Sequence, residues 1–259
     1  MDTPGITGEH LARFERNGFF LIPSPFGAGA VRQVDILQRE VEPVWERAEF
    51  PAGCNRLACQ FLMIGEPLLE MVEHPELVAA ARLILGAEEV HVGACGIGDA
   101  SKAVGADGPG QRQVHWHADG GPDVRQVSFR TALDRHDAGN GPLRILPGSQ
   151  HRPREEVAAE LLRLELAAGV HDEPPELCFA RHPDEVEVVL DPRRTLVWTP
   201  SCWHATGMKT SAGPRRAMGW NYFPAGGRKR DLEAVKHLHP GWRDWPEERL
   251  RLWGLEHGP

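Results

Sequence analysis

From Glu89 to Pro224 the chain is divided into short apolar or alternating runs. These are "EVHVGACGI", "QVHWHA", "RQVSFRTALD", "PLRILPGS", "VEVVLD", "TLVWTP" and "RRAMGWNYFP", each bounded by glycine, proline or other turn residues. Runs of this length with a two-residue period read as strands. Many short strands in series satisfy their edges only by stacking as a sandwich or by closing into a barrel or jelly roll. One helical insertion, "PREEVAAELLRLELAAG", interrupts the series.

Helices flank this β region. "GEHLARFERNG" ends in Asn17 and Gly18, a helix stop, and runs into the short strand "FFLIP". Between Ala30 and Ala48 the apolar residues Val31, Val34, Leu37, Val41 and Val44 recur at three- and four-residue steps, the stripe of an amphipathic helix. A further helix is predicted over "PLLEMVEHPELVAAARLILG", closed by Gly86, and the tail "DLEAVKHLHPGWRDWPEERLRLWG" reads as helical, with its tryptophans packed on the body. A chain of 259 residues, 41% of them hydrophobic, buries a substantial core. The expectation is a mainly β protein with flanking helices, one domain over 1–259. It divides into a helical part to about residue 90, a β core from about 90 to 225 and a helical tail. No repeat or low-complexity tract divides it.

A net charge of -8, from 37 acidic and 29 basic residues, argues against nucleic acid or an anionic membrane as partner, since both require a basic face. The start has no basic segment followed by an apolar core, and no window approaches a membrane span. The five cysteines, Cys54, Cys59, Cys95, Cys178 and Cys202, form no CxxC pair and are odd in number, as expected of reduced thiols in a cytoplasmic protein. Oligomeric state is not legible.

The chemistry concentrates in "QVHWHADGG". In a strand, residues two apart project from one face, so His115, His117 and Asp119 stand on a common side. Three chemistries begin this way. A binuclear zinc hydrolase of the HxHxDH type needs a histidine after the aspartate, where Gly120 stands. A cupin site needs a glutamate a few residues after HxH, and Gly120, Gly121, Pro122 and Asp123 supply none. The third is HxD, His117 and Asp119, completed by a distant histidine as the two-histidine, one-carboxylate triad of non-haem iron oxygenases, and it lacks nothing here. In "TLVWTPSCWHATGMKTSAGPRRAMGWNYF", His204 follows a strand and Arg215, eleven residues on, opens the next. A dicarboxylate such as 2-oxoglutarate, chelating iron at one end, needs a forked, permanently charged donor for its far carboxylate.

Taken together, "WHADGG", "NGPLRILPGSQH" and "WHATGMKTSAGPRR" resemble the phytanoyl-CoA dioxygenase family of Fe(II)- and 2-oxoglutarate-dependent oxygenases. "FERNGFFLIPSPF" and "MVEHPELVAAARLILG" resemble its opening, so the likeness runs over roughly residues 8 to 225. The resemblance implies a double-stranded β-helix, or jelly roll. It makes His117, Asp119 and His204 the iron ligands and Arg215 the anchor of 2-oxoglutarate. It implies that the cosubstrates 2-oxoglutarate and O2 yield succinate and CO2 as an unactivated C–H of a small molecule is hydroxylated. Related halogenases replace the carboxylate by a small residue, so Asp119 favours hydroxylation or desaturation. Ser128 resembles a cosubstrate contact of some relatives. The family's substrates span acyl-CoA thioesters, amino-acid derivatives, phosphonates and secondary metabolites, so the family name specifies none.

Arg130 departs from the aromatic or small residue found at its position in relatives. If it points inward it adds a positive charge to the pocket; with Lys102 and the basic run "GGRKR" it points to an anionic group on the substrate. Trp116 and His115 are further candidate substrate contacts, although Trp116, Trp198, Trp203 and Trp220 are of a type found more often in cores. Gln150 reads as a structural turn residue and Cys202 as a packing cysteine. Two other readings stand beside the oxygenase: a mononuclear zinc hydrolase on the same two histidines and aspartate, and a metal- or ligand-binding jelly roll without turnover.

Overall fold

The structure is a computed structural model describing residues 6–99, 114–120, 124–169, 175–227 and 232–255. Helix α1 (Gly8–Asn17) is capped by Thr7, whose hydroxyl accepts from the His10 amide, and ends at Gly18 with φ +83°. That left-handed turn feeds β1 (Phe19–Pro23). A side chain there would also collide, since a Cβ on Gly18 would lie 2.3 Å from Cys202 Sγ.

The amphipathic stripe forms α2 (Ala28–Arg47), with Val31 and Val34 buried. The segment expected to be one helix after it is two, α4 (Glu66–Val72) and α5 (Pro75–Leu85), following a short α3 (Arg56–Met63) that periodicity did not single out. Pro75 is the cause of the break. The residue before proline is driven out of the helical region, and His74 has ψ 120°, so Pro75 starts a new helix at its first position. Gly86 closes α5 as expected, with φ +54°.

Seven expected strands follow: β2 (Val90–Asp99), β3 (Val114–His117), β4 (Val127–Ala132), β5 (Leu143–Ile145), β6 (Val186–Val188), β7 (Arg194–Trp198) and β9 (Arg216–Pro224). The insertion is α6 (Arg154–Ala167), and the tail holds α7 (Leu232–Leu238) and α8 (Glu247–Leu252). An eighth strand in this region, β8 (His204–Thr206), has only three residues and is held by pairing to β3 and β5. The strands form a five-stranded sheet in the order β1-β7-β4-β9-β2 and a four-stranded sheet in the order β3-β8-β5-β6, antiparallel throughout. This is the expected jelly roll.

Alternation decides what lies inside. On β4, Val127 and Phe129 join the core beneath the helices, together with Met218, Trp220 and Tyr222 of β9 and Phe61, Leu68 and Leu77 of α3 to α5. Each such buried side chain contributes about 1.5–3 kcal/mol. Trp242 and Trp253 of the tail enter the same core. On the four-stranded sheet, Trp116, Trp203 and Ala205 pack outward beneath Val157 and Leu161 of α6. The faces left over enclose the interior of the roll. No helix among the described residues is long and apolar enough to cross a membrane.

Candidate metal and cosubstrate site

His117 closes β3 and His204 opens β8, and the two are register partners across that strand pair. Asp119 sits two residues beyond β3, its amide donating to the Pro200 carbonyl at 2.8 Å in the loop that leads to His204. One ligand atom from each of His117, Asp119 and His204 falls within 4.8 Å of the others, close enough to share one ion. His204 Nε2 is 4.0 Å from Asp119 Oδ2, and the two imidazole centroids are 4.2 Å apart.

The tautomers are set locally. His117 Nδ1 donates to the His115 carbonyl at 2.8 Å, and His204 Nδ1 donates to the Cys202 carbonyl at 2.9 Å. A carbonyl only accepts, so each Nδ1 carries a proton and each Nε2 is the nitrogen left to face a metal. Burial, reinforced by His117, holds the His204 imidazole well below its ordinary pKa, which keeps that lone pair unprotonated at neutral pH.

Arg215 lies just ahead of β9, fully buried. Its Nε donates to the Gly141 carbonyl and its amide to Asp99 Oδ2 at 2.9 Å. Both terminal amino groups are buried without a hydrogen-bond partner among the described residues. Burial, with the nearby charge of Arg130 and against Asp99, brings its pKa down to about 9. The two terminal amino groups thus offer a buried fork, unpaired among the described residues, of the shape that matches a carboxylate. The Gly141 carbonyl that holds it belongs to the segment entering β5, beside Gly207 just past the end of β8, the strand that His204 opens. The donor set therefore fits iron with 2-oxoglutarate: two imidazoles, one carboxylate, and a separate fork without a partner among the described residues for a distal carboxylate.

Arg130 and Ser128 share the inner face of β4, opposite Gly219 and Asn221 of β9. Both line a cavity of about 240 Å3 that Asp119 borders, with Trp198, Gly98, Ala217 and Asn221 among its other walls. Arg130 does point inward, and burial lowers its pKa against the opposing pull of Asp99. His115 stands at the exposed rim, 5.2 Å between ring centroids from His117. Burial and then His117 push its pKa down.

Trp116 is not placed with them. Its indole is 1% exposed on the outer face of β3, donates to the Ala180 carbonyl at 3.0 Å, and lies under the Arg144 guanidinium at 4.8 Å. Alternation puts it opposite His115 and His117, which removes it as a substrate contact. Lys102 and the Arg228–Arg230 part of the basic run lie outside the described residues. Gln150 and Cys202 pair with each other at 2.8 Å, consistent with their structural reading.

Three residues around the triad were not singled out by the sequence reasoning. Trp198, counted with the core, meets His204 edge to face at 4.5 Å and lines the cavity as well. Gln126 donates to the Asp119 carbonyl at 3.3 Å, and Asn221 donates to Gln126 Oε1 at 3.4 Å. A signal existed for Asn221: in "RAMGWNYF" it alternates with Ala217 and Gly219, small residues that mark a face left open. A larger hollow of about 760 Å3 between α5 and α8 contains none of the predicted site residues.

The ectoine dioxygenase of Bordetella parapertussis (strain 12822) is 31% identical over 162 residues, 57% of this chain and 50% of that protein. This chain thus spans about half the length of the curated relatives it matches. Among solved structures, HygX from Streptomyces hygroscopicus, with nickel and 2-oxoglutarate bound, superposes with TM-score 0.64 at 16% identity, covering 85% of this chain and 88% of that one. EctD from S. alaskensis, with 2-oxoglutarate and 5-hydroxyectoine, gives 0.58 at 21% identity, covering 87% and 78%. At such identities these likenesses show the fold. The family model for phytanoyl-CoA dioxygenase (PhyH) matches residues 14–217, which contain all three triad residues and Arg215, and this chain belongs to that family.

Proposed function

We propose that this protein is an Fe(II)- and 2-oxoglutarate-dependent oxygenase that hydroxylates an unactivated C–H bond of a small molecule, releasing succinate and CO2. The observation that carries the reading is the buried Arg215 fork, without a partner among the described residues, beside Arg130, whose charge also reaches His204 of the triad. In this reading His117 and His204 would hold iron through Nε2 and Asp119 through its carboxylate. Arg215 takes the distal carboxylate of 2-oxoglutarate and Ser128 offers it a hydroxyl. When bound, iron and 2-oxoglutarate supply the oxidation, in which O2 gives one oxygen atom to succinate and one to the substrate. Trp198, at 6% exposure, walls one side of the cavity that Asp119 borders.

The substrate is a small molecule carrying an anionic group. Support comes from Arg130, a guanidinium with no hydrogen bond or ion pair among the described residues, lining the cavity that Asp119 borders. Ectoine, the substrate class implied by the names of the curated relatives, carries a carboxylate and is a reasonable first compound to assay. The zinc hydrolase reading is less well supported, because hydrolysis at a zinc-bound water has no use for the Arg215 fork. A binding module without turnover gains nothing from a site in which every expected position is filled.

The test is anaerobic addition of 2-oxoglutarate to Fe(II)-loaded protein. The weak visible charge-transfer band of the chelate is expected, followed by succinate release when oxygen is admitted. A protein that shows no band, and hydrolyses esters or amides without oxygen when loaded with zinc, sinks the proposal.

A further inference from the structure

The inner face of β4 begins at Gln126, two residues before Ser128 and four before Arg130. Its side-chain amide sits over the turn that carries the metal carboxylate. Gln126 Nε2 donates to the Asp119 carbonyl at 3.3 Å, and a Cβ on Gly120 would stand 3.2 Å from the same nitrogen. Gly120 has φ +73°, so the chain leaves Asp119 through a left-handed turn that the Gln126 amide closes from above. The Asp119 peptide is thereby held at both ends: its N–H by the Pro200 carbonyl and its C=O by Gln126.

Gln126 is itself held. Asn221 Nδ2 donates to Gln126 Oε1 at 3.4 Å, and Asn221 Oδ1 accepts the Ala94 amide at 2.7 Å. Ala94 lies where β2 slips register against β9, between Val92 and Cys95, and its N–H turns to the Asn221 side chain. The bulge is tightly packed, since a Cβ on Gly93 would lie 2.3 Å from Asn221 Oδ1. A chain of amides therefore runs from a rigid sheet irregularity, through two side chains, to the main chain of an otherwise exposed carboxylate.

We infer that Gln126 is a positioning residue for the metal, fixing the Asp119 carboxylate against the two imidazoles, and that Asn221 anchors it to the β2 bulge. Asp119 needs such support. Its side chain is 61% exposed, and no side chain among the described residues hydrogen-bonds to its carboxylate, whereas both imidazoles are oriented through Nδ1. Groups that orient metal ligands typically change metal affinity by about 10–100-fold when removed. The inference rests on the triad being a metal site.

The test uses Co(II) as probe, titrated without oxygen or 2-oxoglutarate into metal-free wild type, Gln126→Leu and Gln126→Glu. Gln126→Glu retains the acceptor for Asn221 and loses the donor to Asp119. Both variants are expected to bind Co(II) about tenfold or more weakly, with an altered ligand-field spectrum. Their metal-free melting temperatures should move by no more than about 4 °C. Unchanged affinity and spectrum in both variants overturns the inference. So does a loss of affinity matched by a large drop in metal-free stability, which would make Gln126 a folding residue only. A protein that binds Co(II) normally but never consumes 2-oxoglutarate would count against the oxygenase reading and leave this inference standing.

Discussion

Arg215 Nε donates to the Gly141 carbonyl, and that bond aims the buried guanidinium while its two terminal nitrogens remain without partners among the described residues. A lysine in its place keeps the charge and loses the fork. Arg215→Lys is therefore expected to lose one charge-assisted hydrogen bond, about 1.5–3 kcal/mol, which corresponds to an increase of at least about tenfold in the 2-oxoglutarate KM. Metal affinity should be unchanged. Steady-state succinate release against 2-oxoglutarate concentration, with a parallel metal titration, measures both.

Arg130 is assigned a different partner from Arg215, and the two arginines should separate kinetically. Arg130→Ala is expected to weaken the primary substrate by about tenfold or more, the scale of a hydrogen bond to a charged group, and to change 2-oxoglutarate affinity less. Binding of both ligands to wild type and variant decides it; an unchanged substrate affinity removes Arg130 from the substrate site.

Trp116, outside the cavity, should behave as a structural residue. Trp116→Phe loses the hydrogen bond to Ala180 O and part of the surface under Arg144. Denaturant unfolding is expected to show a loss of about 1–2 kcal/mol with substrate KM unaltered. A variant of full stability and poor substrate affinity would return Trp116 to the site.

His136 gives the metal-free protein an acid-sensitive stability. It is fully buried, Nε2 donates to the Arg216 carbonyl at 3.1 Å, and burial, with the charges of Arg215 and Arg130, lowers its pKa from 6.5 to about 2. The unfolded chain binds the proton first, so this contribution is complete above pH 6.5 and is lost as pH falls toward 2. Unfolding free energy should drop by roughly 1.4 kcal/mol per pH unit below that point on account of this residue. His204 and His239, also held low by burial, act in the same direction. Urea titrations at pH 7 and pH 5 should show the fall, and His136→Asn should show a shallower one.

Much of this was legible without coordinates because strand alternation and helix periodicity are local. The α2 stripe, the Gly18 stop, seven strands and the pairing of His117 with Asp119 were all written in short stretches of chain. Alternation also places Trp116 behind the histidines, so the information that removes it from the site was present in "VHWH" itself. The break at Pro75, by contrast, depended on one proline overriding a continuous apolar pattern. A strand as short as β8 has no period of its own and exists through its neighbours on either side.

Arg215 and Arg216 show where local information ends. By itself the sequence determined that adjacent residues at a strand start face opposite ways, and that two permanent charges stand there. Only the tertiary structure decided their fates. Arg216 faces the helices and is saturated by Asp134 at 2.8 Å, and by Asp35 at 2.7 Å and Gln38 at 2.9 Å on α2, from two distant stretches of chain. Arg215 faces the interior, where it is buried and no carboxylate among the described residues bonds to its fork. The physical reason is that a charge's partners are set by which remote segments pack against its face, and no local pattern encodes those segments.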